Sequence, residues 1–156
     1  MVLKSIRRPV DMKREQALWA YLRRGLRGRW HAQRHEDRYA VGLPDVSYAL
    51  DGVDGWLELK ALNYAPAQVS VGLTAAQSAW LTLRGRAGNG QCFVLVRLGQ
   101  EHLLFSWQAR DLVHKLPLAT LRATAVGRWP RGLDFVELAR LLRGASLYDR
   151  SFVKCS

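Results

Sequence analysis

Between Met12 and Arg24 the apolar side chains recur at helical spacing. Glu15, Leu18, Trp19 and Leu22 stand at i, i+3, i+4 and i+7, so a carboxylate shares the apolar stripe. Asp11 supplies an N-cap and Gly25 a stop. Trp30–Arg34 fits a short strand. The rhythm then changes to alternation, with Val46, Tyr48 and Leu50 set against Asp45, Ser47 and Ala49. Asp51-Gly52-Val53-Asp54-Gly55 is turn chemistry, and Trp56–Leu62 returns as a second strand to make a hairpin.

Thr74 caps a helix running to about Arg84, and Gly88-Asn89-Gly90 breaks the chain. Cys92–Leu98 and His102–Trp107 read as strands joined at Gly99-Gln100. The first is apolar on both faces, as a central strand would be. Helices are expected near Ala109–Leu116 and over Phe135–Arg143, the second capped by Asp134 and stopped by Gly144. The order α-β-β-β-α-β-β-α-α predicts an α/β fold on a mixed sheet. No repeat or low-complexity linker divides it, so residues 1–144 read as one domain. Residues 1–10 are a basic, loose start and 145–156 a poorly ordered tail.

Composition confirms a globular chain, 49% hydrophobic and 10% aromatic over 156 residues. Charge adds more. Lys and Arg number 24 against 13 Asp and Glu, a net +11, and most of the basic residues are Arg, whose planar fork suits phosphate oxygens. A field of that sign selects a polyanion, either nucleic acid or an anionic membrane surface. No apolar run approaches the ~20 residues of a spanning helix, and no signal-peptide pattern opens the chain, so nucleic acid is favoured. Cys92 and Cys155 make no disulfide framework, which suggests a reducing, cytoplasmic setting.

The charge is unevenly placed. Basic residues crowd positions 1–40, whereas 41–60 carry Asp45, Asp51, Asp54 and Glu58 against Lys60 alone. An acidic island in a basic protein suits a metal site on a phosphate-binding surface. Asp51 and Asp54 accompany Gly52 and Gly55, so turn formation accounts for them. Asp45 follows Pro44 at the mouth of a strand. Glu58 and Lys60 are two apart on the next strand and share a face with Trp56, about 6.6 Å apart along it. A hairpin would bring Asp45 beside Glu58. Taken alone, the trio reads equally well as a cross-strand ion pair on a solvated face.

Gly42-Leu43-Pro44-Asp45 followed by Trp56-Leu57-Glu58-Leu59-Lys60 resembles the signature of the PD-(D/E)XK nuclease superfamily. More narrowly it is similar to the VRR-NUC and Holliday-junction-resolvase-like branch, in its small phage-type form. The resemblance spans roughly residues 12–107. Arg34-His35-Glu36 falls where such proteins carry a basic–acidic strand, Glu15 matches their upstream helical Glu, and Gln77 in Leu73-Thr74-Ala75-Ala76-Gln77 matches their downstream Gln.

The resemblance implies a restriction-endonuclease-like core and a metal-dependent DNA endonuclease. Asp45, Glu58 and the Leu59 carbonyl would bind Mg²⁺, or Mn²⁺ in its place, and Lys60 would orient or deprotonate the attacking water. Glu15 and Gln77 would join that site. It also implies a homodimer with a preference for branched, junction or flap DNA, encoded by a phage and acting in a bacterial host. The alternatives are a nucleic-acid-binding module on a relic nuclease fold and an interaction protein that blocks a host enzyme.

Glu15 lacks a Lys or Arg at i+3 or i+4, so it either reaches solvent at the stripe edge or meets the metal. Thr74-x-x-Gln77 is a capping box, a structural role compatible with a functional one. His31, His35, His102 and His114 show no zinc spacing, and no P-loop, nucleophile elbow or dinucleotide fingerprint occurs. Arg7, Arg8, Lys13, Arg14, Arg23, Arg24, Arg27 and Arg29, with Arg34, are candidates for a phosphate track that reads backbone and shape.

Overall fold

The structure is a computed structural model that describes residues 9–36, 39–88 and 90–144. Arg7, Arg8, Asn89, Cys155 and the tail expected at 145–156 lie outside the described residues. Helix α1 (Pro9–Gly25) leads into β1 (Trp30–Arg34), β2 (Val46–Leu50), β3 (Val53–Leu62) and β4 (Gln68–Val69). Then come α2 (Ala75–Ala87), β5 (Cys92–Leu98), β6 (Glu101–Ser106), a 3-10 turn (Arg110–Val113), β7 (Leu116–Pro117), α3 (Leu118–Thr124), β8 (Gly127–Trp129) and α4 (Phe135–Leu142).

The strands form a six-stranded sheet in the order β1-β2-β3-β5-β6-β8, and β4 and β7 pair apart from it. Only β3 and β5 run parallel, joined through α2 as a parallel pair requires. The central strands β3, β5 and β6 are buried on both sides. Leu57, Leu59, Ala61 and Leu95 pack with Leu18 and Leu22 of α1, Leu26 just beyond it, and Leu138 and Leu142 of α4. Val94, Val96, Leu103 and Phe105 pack on the other face with Leu81 of α2 and Leu121 of α3. The fold is therefore a mixed α/β sheet flanked by helices, as the element order predicts. No described helix is long and apolar enough to cross a membrane.

Several boundaries differ from expectation for physical reasons. Helix α1 is already formed at Pro9, the first described residue of the chain, so Asp11 lies within the helix and not at its cap. Gly25 is the last helical residue. It stands hard against the Phe135 ring of α4, where a side chain would collide. The β2–β3 turn contracts to Asp51-Gly52, whose φ angles of 50° and 78° give the double left-handed turn that matches strand twist. Val53, Asp54 and Gly55 already belong to β3, so Asp54 is a strand residue and not a turn residue. The helix expected near 109–116 is a single 3-10 turn, and β7, α3 and β8 follow where no such elements were expected.

Candidate active site

The hairpin pairs Val46 with Leu57, and β2 begins there, one residue after Asp45. Beyond that point β3 continues without a β2 partner. The Asp45 side chain takes over the bond a neighbouring strand would make: Leu59 N–H donates to Asp45 Oδ2 at 2.9 Å. A strand residue aims its N–H and C=O to the same side, so the Leu59 carbonyl also faces Asp45. Asp45 N–H in turn points at Glu58 Oε2, 3.3 Å away. Gly42 fixes the approach of this segment. Its φ is 82°, and a Cβ there would stand 2.5 Å from the Ala76 carbonyl at the start of α2. Only glycine meets both conditions.

Glu58 and Lys60 project from the α2 face of β3, with Trp56 and Leu62, while Leu57, Leu59 and Ala61 face α1. Lys60 Nζ lies 3.1 Å from Glu58 Oε1, and Gln77 Nε2 donates to the same oxygen at 2.7 Å. The four side chains are buried, Asp45 at 3%, Glu58 at 0%, Lys60 at 5% and Gln77 at 6% exposure. The solvated-face reading of the trio therefore fails. Two carboxylates and one ammonium thus meet under burial, where an ionised group is tolerated only when it is paired and hydrogen-bonded.

Gln77 serves two ends at once. Its side-chain oxygen accepts from Thr74 N–H at 3.0 Å, while Thr74 Oγ1 accepts from Gln77 N–H at 3.1 Å, a complete capping box. Its nitrogen remains for Glu58. The cap and the contact with Glu58 are thus made by one side chain.

Glu15 is buried at 4% and lies on the α1 stripe with Leu18 and Leu22. That stripe packs against the Leu57 and Leu59 side of β3, the face opposite Glu58 and Lys60. Glu15 is not without a partner there. Among the described residues no group of three or more His, Cys, Asp or Glu side chains is arranged to hold a metal ion.

The basic candidates separate. Arg14 lies 3.7 Å from Asp11 in a half-buried i,i+3 pair. Arg27 and Arg29 are exposed beyond the end of α1. Arg23, Arg24 and Arg27 line a surface pocket of about 450 Å³ with Trp19, Trp30 and His31, and the Arg23 guanidinium lies 5.9 Å from the Trp19 ring. Arg34 is half-buried at the end of β1, opposite Val46, its Nε buried without a hydrogen-bond partner among the described residues.

One group beside the trio was not foreseen. Trp56 meets His35 with ring centroids 5.3 Å apart, Trp80 edge-on at 5.0 Å, and the Arg84 guanidinium at 5.7 Å. The sequence held the signal. Trp56 is two residues from Glu58, and Gln77, Trp80 and Arg84 form one stripe of α2.

In comparisons with known proteins, no family model matches the chain and no curated protein matches it. Among solved structures it is similar to Hjc of Archaeoglobus fulgidus, a Holliday junction resolvase from an archaeal hyperthermophile. The TM-score is 0.54 and the identity 16%, over 82% of this chain and 98% of that one. The chain has the resolvase-like nuclease fold.

Proposed function

We propose that this protein is a metal-dependent DNA endonuclease of the PD-(D/E)XK type, in the VRR-NUC and resolvase-like branch. The observation that carries the reading is the meeting of Asp45, Glu58 and Lys60 where β2 leaves β3. The likeness in fold to a Holliday junction resolvase and the net charge of +11 support DNA, branched DNA in particular, as the substrate. The described residues hold one such site, so paired cuts on two strands call for a homodimer. Cytoplasmic action in a phage-infected bacterium is the setting that the reading implies.

The donor set fits Mg²⁺ or Mn²⁺. Both are hard cations that take oxygen ligands, and Mg²⁺ keeps several waters and needs only one or two protein carboxylates. Asp45, Glu58 and the Leu59 carbonyl would hold the ion, which when bound lowers the pKa of a water and polarises the scissile phosphate. The rest falls to the chain. Leu59 N–H and Gln77 Nε2 fix the two carboxylates from behind. Lys60, already 3.1 Å from Glu58, orients the attacking water and offers its ammonium to charge growing on the phosphorus oxygens. Glu15 would serve the same site only by reaching past the end of β2 from the α1 face.

Incubation with supercoiled plasmid, linear duplex and a four-way junction, with and without Mg²⁺, tests the reading. Metal-dependent cutting, faster on the junction, is expected. Asp45→Ala and Glu58→Ala should abolish it while DNA binding persists, and Lys60→Ala should lose most of the rate. Wild-type cutting by either carboxylate variant would overturn the assignment.

A further inference from the structure

Asp54, Trp56, Glu58 and Lys60 alternate along β3 and so form one row on its α2 face. Above them runs the stripe Gln77, Trp80 and Arg84, Gln77 over Glu58 and Arg84 over Trp56. The row passes from the buried carboxylate to a half-buried tryptophan about 6.6 Å away and then to an exposed Asp54. Trp56 is held rather than free to turn. The His35 ring lies against it, itself bonded through Nε2 to Ser47 Oγ at 2.7 Å, and Trp80 abuts its edge.

Beside Trp56 opens a surface pocket of about 350 Å³, lined by Asp54, Trp56, Arg84, Gln91 and Cys92. That is the low end of the range for small-ligand sites, room for one planar ring system. The Arg84 guanidinium lies over the Trp56 ring, and a guanidinium plane backed by an indole is a stacking surface that accepts any base. Asp54 at the rim decides between the two parts of a nucleotide. Its carboxylate repels a phosphate but accepts from the exocyclic amine of a base. Bases inside a duplex offer no face to such a pocket, whereas an unpaired nucleotide does.

We propose that the Trp56–Arg84 pocket captures one unpaired nucleobase next to the phosphate being cut. The protein then selects DNA with a single-stranded segment at the cleavage point, such as a flap, a frayed junction or a gap edge. That consequence for cutting rests on the nuclease reading above, while base capture itself stands on the pocket alone.

The test is binding without divalent metal, in EDTA. A duplex with a short single-stranded overhang, carrying a fluorescent adenine analogue at its first unpaired position, is compared with the blunt duplex. Stacking should quench the analogue and favour the overhang by ~10-fold. Arg84→Ala, at an exposed helix position, and Trp56→Leu, which keeps an apolar side chain in β3, should each reduce both signals. Equal affinity of the wild type for blunt and overhang DNA would overturn the proposal, as would preference unchanged in both variants. Tighter binding of blunt duplex would mean that the pocket takes backbone. Metal-dependent cutting is scored on the same preparations. Its absence alongside intact quenching would sink the nuclease reading and leave base capture standing.

Discussion

Gln77 and Glu58 meet across 2.7 Å, the amide of one helix's first turn fixing a carboxylate of the central strand. Because the other end of that amide closes the Thr74 cap, helix formation and site geometry depend on one side chain.

The two roles come apart by mutation. Thr74→Ala removes the cap alone and should cost about 1 kcal/mol of stability with little loss of cutting. Gln77→Met should lose the cap and also leave Glu58 unsupported, with cutting reduced ~10–100-fold, as loss of a residue that orients a ligand does. Thermal melting beside single-turnover cleavage distinguishes them. Equal activity in the two variants would assign Gln77 to the cap alone.

Glu15 poses the reverse question, since it is buried on the α1 face and the motif carboxylate lies on the other. Glu15→Gln changes charge and almost nothing in shape. If Glu15 reaches the metal past the end of β2, cutting should fall and the Mg²⁺ concentration for half activity should rise, at unchanged melting temperature. Unchanged cutting with a lowered melting temperature would make it a purely structural carboxylate.

Much of this was legible in the sequence because strong periodicity and caps are local. The alternation of Val46, Tyr48 and Leu50 and the capping pair Thr74 and Gln77 fix β2 and the start of α2 without help from the rest of the chain. Pro44-Asp45 and Glu58-x-Lys60 likewise sit where their spacing places them. The region after Gly99 was harder. Helix α3 follows Pro117 with seven residues, and β8 has three, both too short to show a period. They are held by tertiary contacts: Arg122 and Arg128 converge on Glu101 at 2.9 and 2.7 Å, residues far apart in sequence. The aromatic group at Trp56 escaped notice for the same reason, because His35, Trp56 and Trp80 come from the segment after β1, from β3 and from α2.

Acid sensitivity should come from the β6 side of the fold. His102 is 3% exposed, on the Tyr21 ring, and burial together with the nearby Arg97 charge lowers its pKa from 6.5 to about 4. The unfolded chain binds that proton first, so the stability is fully present above pH 6.5 and is lost as pH falls from 6.5 towards 4. The full loss is about 3 kcal/mol. Glu101 adds a lower limb: burial opposes its ionisation, but bonds from Arg122 and Arg128 outweigh that and hold its pKa below 4.5. Its share goes as pH falls through the lowered value. Urea unfolding at pH 7 and pH 5 should show a fall in the wild type that is smaller in His102→Leu. A fall of equal size in both would remove His102 from the acid response.

Arg23, Arg24 and Arg27 offer a second test of how DNA is held, on the face away from Trp56. They gather with Trp19, Trp30 and His31 around one pocket where α1 ends beside the edge strand β1. No base-reading element accompanies them, so their contribution should be to phosphate and independent of sequence. Each phosphate contact released lowers the slope of log affinity against log salt by nearly 0.9. Arg23→Ala with Arg27→Ala should weaken binding of every duplex alike and flatten that slope by about 1–2. The exposed Lys115 and Arg131, changed to alanine together, provide the comparison, since they lie on loops elsewhere in the chain. If the Lys115 and Arg131 pair flattens the slope as much as the α1 pair does, the protein attracts DNA by overall charge alone, and the α1 end holds no track.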